Sequence, residues 1–437
     1  MKTNRLGLAA LAALLLAPTL AGGQAASGRT VEFNAGGVQV IFKPITANEV
    51  IAVRLYLKGG SAAQTAETAG IERLLGALVT RGTEKYSKEE FATRATSTGT
   101  QIGSEVGFDF SVLTAQAVRQ NWDQAWDLFT QAALHPTFPE AEVTQVKGQL
   151  ANSLRQRRDD PDALLTLLGD SVIYAGSPFA VDPLGTTASI QRIGREDLAR
   201  WHATRMTKAN LLLVVVGNVT RADLERKVEQ AFGGLPATGG VAPRPPLPPG
   251  GEAQVVVETR QLPTNYIAGI FRTPSPAEPD FAASRVALYI LHNRLFEEVR
   301  TKRNLSYAVS AAMAQRAANI GRLYVTAVSP DTTLRVMLDE VRRLQQEPVT
   351  TKQLKENVSV LATGYWTGQL TNMGQASQLG IFELLGRGWE QSDSFVDEMQ
   401  RVTPQDVQRV AQRYLRGARF VVVGDPAKID RGLFSSW

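Results

Sequence analysis

Apolar residues recur along this chain with two different periods. In VEFNAGGVQVIFKP, the alternation of Val38, Val40 and Phe42 behind Ala35-Gly36-Gly37 predicts a hairpin. VIAVRLYLKGG, from residue 50, predicts a strand stopped by Gly59-Gly60, and GFDFSVLTAQ, from residue 107, predicts another. Between them the period lengthens. Ile71, Leu74, Leu75 and Leu78 share one face of a helix predicted over residues 68–80. Trp122, Trp126 and Phe129 mark an amphipathic helix whose rings belong in a core. A further helix follows Pro139, runs through QVKGQLANSLRQRR and meets Asp159-Asp160-Pro161.

Two stretches share one order of elements. REDLARWHATRMTKANLLLVVVGNV and PQDVQRVAQRYLRGARFVVVGDP each run from an acid-opened helix, through a polar connection, into a valine-rich strand ending in Gly-Asn or Gly-Asp. Asp197 and Gly217 stand 20 residues apart, Asp406 and Gly424 18. PATGGVAPRPPLPPGG lies between the two stretches, and proline and glycine at that density hold neither a helix nor a central strand. The chain therefore reads as α+β, with two homologous domains at residues 26–235 and 253–437 and a linker at 236–252. Its 437 residues also exceed what one core usually supports.

Composition adds three constraints. MKTNRLGLAALAALLLAPTLAGGQA reads as a secretory signal over residues 1–25: Lys2 and Arg5 precede an apolar run, and Gly23 and Ala25 suit cleavage before Ala26. Pro18 and the small residues keep that run below the roughly 20 residues of a membrane anchor. The mature chain is thus expected to be exported, periplasmic or extracellular. There is no cysteine, which excludes disulfides and thiolate metal sites. The net charge of +5 is spread among acids, which argues against a nucleic-acid partner. The three histidines, His135, His202 and His292, are widely separated, and no acid-rich calcium loop is present, so no metal is expected in this chain.

GIERLLGALVTRGT, SPFAVDPLGTTASIQRI and LFEEVRTKRNLSYAV together resemble the pitrilysin-type zinc peptidases, which carry an inverted His-x-x-Glu-His motif. The likeness extends over nearly all of the mature chain and is strongest to the two-chain bacterial branch and the mitochondrial processing peptidase. It implies two domains, each a mostly antiparallel sheet packed with helices, forming half of a clam-shell chamber. In that family two histidines one helical turn apart hold zinc, and the glutamate takes a proton from the metal-bound water. Aligned on Gly70, Leu75, Gly82 and Thr83, the first histidine becomes Arg73, the glutamate Gly76 and the second histidine Ala77. The third ligand, a glutamate on a later helix, falls at Asn152-Ser153. The zinc motif is degenerate, and a cation at Arg73 would repel a divalent metal.

Arg300 and Tyr307, seven apart in RTKRNLSY, match the family's Arg-Tyr pair. There the pair faces the zinc across the chamber, binds the substrate carbonyl and stabilises the oxyanion, a role that guanidinium and phenol donors suit. The resemblance implies a non-catalytic subunit of a heterodimeric peptidase, inactive alone, with a zinc-bearing partner of the same family and peptides as substrate. A non-enzymatic scaffold of the respiratory-core type and a peptide-binding homodimer are the alternatives. SRVALYILHNRLF lacks the long glycine-rich loop that the processing peptidase's non-catalytic chain carries before this helix. The strand at residues 101–106 falls where the family pairs an edge strand with peptide. Such pairing uses backbone groups only, so its side chains leave the role open.

Overall fold

A computed structural model describes residues 28–239 and 254–436; the expected signal segment and most of the expected linker lie outside the described residues. The first sheet contains β1 (Val31–Ala35), β2 (Val38–Pro44), β3 (Val50–Lys58), β4 (Gln101–Val106), β5 (Phe110–Val118) and β6 (Leu211–Gly217), in the order β1-β2-β6-β3-β5-β4. The second contains β7 (Gln254–Thr259), β8 (Asn265–Arg272), β9 (Val309–Met313), β10 (Ile320–Ala327) and β11 (Arg419–Gly424), in the order β7-β11-β8-β10-β9. The β2–β6 and β7–β11 pairs are parallel, and the other pairs are antiparallel. The order β6-β3-β5-β4 recurs as β11-β8-β10-β9, so the repeat read from two helix-strand stretches extends through both sheets.

Helices repeat in the same register. Trp122–Leu134, Glu140–Asp159 and Pro161–Ile173 follow the first sheet's β4–β5 hairpin; Pro330–Gln346, Thr351–Gly368 and Asn372–Leu385 follow the second sheet's β9–β10 hairpin. The hairpin at Gly36-Gly37 forms because both glycines adopt positive φ, 59° and 87°, where a side chain would be strained. Among the described residues no helix is long and apolar enough to cross a membrane.

Each sheet buries both faces, which is why β6 and β11 are runs of Leu and Val rather than alternating strands. One face of the first sheet (Val53, Leu55, Leu213, Val215) packs on Trp122, Trp126, Phe129 and Phe232 of its own half. Its other face (Ile41, Tyr56, Leu212, Val214, Val216) is covered by Ala376, Leu379 and Trp389 from the second half. The second sheet mirrors this. Ile267, Phe271, Leu323 and Val422 pack on local helices. Ala268, Ile270, Val421 and Val423 are covered by Leu164, Leu165, Ile173 and Phe179 from the first half. The two units exchange a helix rather than stand side by side, an arrangement that the two-domain reading of the sequence did not contain.

Polar contacts pin the exchange. Asn372 Nδ2 donates to the Val50 carbonyl at 2.6 Å and Trp389 Nε1 to Glu32 at 3.2 Å. On the other side Arg316 pairs with Asp170 at 2.8 Å, and the Tyr174 hydroxyl donates to the Ala318 carbonyl at 2.5 Å. The carbonyls of Pro236 and Ala237 accept from the Lys208 and Ala209 amides, so the first two linker residues belong to the first half.

Candidate functional site

The helix carrying the degenerate motif spans Ile71–Leu78, shorter than the sequence pattern predicts, because Gly70 begins it in a left-handed conformation with φ 86°. Gly70 has no room for a side chain: a Cβ there would lie 2.6 Å from Ile190 and 2.8 Å from the Leu184 carbonyl. Ile71, Leu74 and Leu78 pack with Val143, Val146 and Ile190, while Leu75 and Ala77 lie at the margin of that cluster. This apolar face sets the helix against the Glu140–Asp159 helix.

The residues that the sequence resemblance aligned with the metal ligands carry no zinc-binding side chain. Arg73 is half-buried and makes no hydrogen bond or ion pair among the described residues. Ala77 presents a methyl at the margin of the same apolar cluster. Ser153 is exposed on its helix. At Gly76 the helix meets β4 so closely that a Cβ would lie 2.6 Å from Ser104 Oγ and 2.9 Å from Ser104 Cβ. At the position that the sequence resemblance aligned with a general base, any side chain would have to displace Ser104 of the edge strand. Among the described residues no three His, Asp or Glu side chains converge.

Next to Gly76 stands a carboxylate that sequence reasoning passed over. Glu72 is buried at 4% exposure and reaches into a cavity of about 50 Å³ bordered by Gly76, Ser104 and His202. The Ser111 hydroxyl donates to one of its oxygens, and Arg205 Nε lies 3.8 Å from the other. Burial pushes its carboxyl above the usual range, opposed by the Ser111 bond and the Arg205 charge. Its distance from any exposed surface makes it a tether between the helix, β5 and the Arg195–Arg205 helix.

The histidines have local partners. Only an N–H can meet a carbonyl, so His202 Nε2, 2.7 Å from the Ala133 oxygen, carries a proton. His135 faces Glu84 at 3.1 Å, and His292 Nδ1 accepts from the Ala311 amide at 3.4 Å.

β4 ends the first sheet, with no strand beyond it among the described residues. Gln101, Gly103 and Glu105 are exposed, while Ile102, Ser104 and Val106 turn toward the helix side. A bidentate pair holds the strand down: Arg54 Nη1 and Nη2 meet Glu105 at 3.1 and 2.7 Å.

The second half brings Arg300 and Tyr307 together. Arg300 Cζ sits 4.0 Å from the Tyr307 ring centroid. Tyr307 is 79% exposed, the largest value among the exposed large apolar or aromatic residues described. Neighbouring charges leave the guanidinium alone, because Lys302 and Arg303 both pair with Glu298. The Arg300 side chain makes no hydrogen bond or ion pair among the described residues, although its carbonyl accepts from the Asn304 amide at 3.2 Å. Its donors are available to a ligand. No hydrogen bond, ion pair or ring contact among the described residues joins this pair to the Ile71–Leu78 helix.

Comparison with known proteins follows the same lines. A family model described as insulinase (peptidase family M16) matches residues 39–177, and one described as peptidase M16 inactive domain matches residues 192–361. An uncharacterized zinc protease of Mycobacterium tuberculosis is 23% identical over 399 residues, covering 87% of this chain and 89% of its own. A non-peptidase homolog of Helicobacter pylori is 24% identical over 303 residues, covering 68% of this chain and 69% of its own. The crystal structure of a peptidase M16 inactive domain from Pseudomonas fluorescens superimposes with a TM-score of 0.84 at 21% identity, covering 91% of this chain and 98% of its own.

Proposed function

The chain belongs to the M16 peptidase family, and from that premise we propose that it is the zinc-free subunit of an exported two-chain peptidase. One observation carries the reading: the metal and base positions hold Arg73, Gly76, Ala77 and Ser153, while Arg300 is kept unpaired beside an exposed Tyr307. A fold that had lost both roles would have no use for an uncompensated guanidinium next to a solvent-facing phenol. Zinc and the base would come from a partner with His-x-x-Glu-His; this chain would supply oxyanion donors and chamber wall. Donors fixed before the reaction stabilise charge that develops only in the transition state. The free edge of β4 offers backbone groups to an extended peptide, although the collapsed Gly76–Ser104 contact denies that peptide a nucleophile on this side.

The test is reconstitution with a zinc-bearing family member. This chain alone should retain no stoichiometric zinc and cleave no peptide, and the mixture should cleave. Arg300→Ala should lower kcat of the mixture by about 10²–10³-fold, the usual cost of losing an oxyanion donor. Stoichiometric zinc on the lone chain, or an unchanged kcat, would overturn the reading. Stable assembly without activity would favour the scaffold, and a dimeric mass for the chain alone would favour the homodimer.

A further inference from the structure

The sequence match accounts for Arg300 and Tyr307 but leaves their neighbour Phe296 without a role. Its ring centroid lies 4.7 Å from Arg300 Cζ, so the guanidinium has an aromatic ring at 4.7 Å and another at 4.0 Å. Phe296 is one of the few large apolar side chains left exposed, at 38%. Core packing does not require it, because Leu295 and Val299 on either side fill the second half's core at 0% exposure. The segment Phe296–Thr301 is a π-helical turn that continues the Phe281–Leu295 helix, closed by the Lys302 amide on the Glu297 carbonyl at 2.9 Å. Such wide turns are uncommon and gather at functional sites.

We infer that Phe296 is a positioning residue for Arg300, completing an aromatic clamp that presents the guanidinium's in-plane donors to an oxygen acceptor of the peptide. This rests on the assignment of Arg300 and Tyr307 as the substrate-facing pair. A guanidinium is weakly hydrated on its faces and strongly hydrated at its edge, so stacking rings costs little solvation and leaves the N–H fork free. The unbranched stem of arginine carries rotamer freedom that a free fork must lose before it binds. A ring that holds the group beforehand moves that loss out of the transition state. Glu298 pairs with Lys302 and Arg303 rather than with Arg300.

Two readouts test the clamp. In the chain alone with arginines isotopically labelled, the Arg300 side-chain resonances, identified by their loss in Arg300→Lys, should be displaced upfield by ring currents. Phe296→Leu, which keeps apolar bulk but removes the π face, should return them toward the values of a free arginine, and Phe296→Trp should keep them displaced. In the reconstituted peptidase, Phe296→Leu should lower kcat about two- to fivefold, the worth of one exposed cation–π contact, with KM unchanged and recovery in Phe296→Trp. Resonances and kcat that are both indifferent to Phe296→Leu would overturn the inference. An inactive mixture would overturn the proposed function instead, and the resonances would still decide the clamp.

Discussion

Gly380 lies directly under the ring of Tyr56: a Cβ at position 380 would sit 2.3 Å from two ring carbons and 2.4 Å from the hydroxyl oxygen. The contact joins the Asn372–Leu385 helix of the second half to β3 of the first. Tyr56 is fully buried there, accepts from Arg54 Nε at 2.9 Å, and has its phenol pushed up to about 12, first by burial.

The first prediction is that Gly380→Ala destabilises the chain by about 2–3 kcal/mol. Overpacking at a rigid ring outweighs the 0.5–1 kcal/mol that alanine adds to a helix interior. Urea unfolding measures it. Equal stability of wild type and Gly380→Ala would mean that the helix does not sit this close.

Gly76 supports a second prediction. Gly76→Ala should cost about 1–3 kcal/mol, and Ser104→Gly should relieve it, since Ser104 is what the new Cβ meets. For the same reason the variant R73H/G76E/A77H/S153E should fail to take up one zinc per chain. Metal analysis after dialysis checks this; full occupancy would show that β4 yields to a side chain at 76.

The third concerns the linker. With a specific protease site placed within residues 240–253, the cut chain should elute as one particle in native buffer and separate only in denaturant. The exchanged helices and the Arg316–Asp170 and Asn372–Val50 contacts hold the halves without the connection. Separate elution under native conditions would refute it.

Acid supplies the fourth. Burial holds His202 below its ordinary value of 6.5, and the Ala133 bond only partly opposes this. Between the folded value and 6.5 the unfolded state binds the extra proton, so stability rises with pH there and is lost as pH falls below about 6.5. His292, also lowered by burial, adds in the same direction. Unfolding at pH 5 and 7.5 should show a loss that shrinks in His202→Gln, with a slope of at most about 1.4 kcal/mol per pH unit for one group.

Much of the fold was legible because it is local. The hairpin at Gly36-Gly37, β3, and the helix–strand closes ending at Gly217 and Gly424 all stand where alternation and turn glycines put them. Arg300 and Tyr307 were singled out together through the resemblance, and the structure puts the guanidinium 4.0 Å from the ring centroid. What periodicity cannot carry is the address of an apolar face. Leu164 and Leu165 announce a buried stripe, but nothing in their spacing says that the second sheet receives it. Glu72 escaped because a charged residue in a helix's first turn is usually solvated, and here three packed elements close over it. Phe296 escaped because an aromatic four residues before an arginine is ordinary on a helix, and only the π-helical turn and the Tyr307 ring on the same guanidinium give the spacing meaning.

The traded helices also dictate a timetable for maturation. When residue 239 has left the ribosome, β6 is complete, yet the outer side of its sheet, with Ile41, Tyr56 and Val214, must wait for a segment 130 to 150 residues further on. No early intermediate of the first half can seal that surface. Closing of that face therefore depends on residues synthesised in the second half.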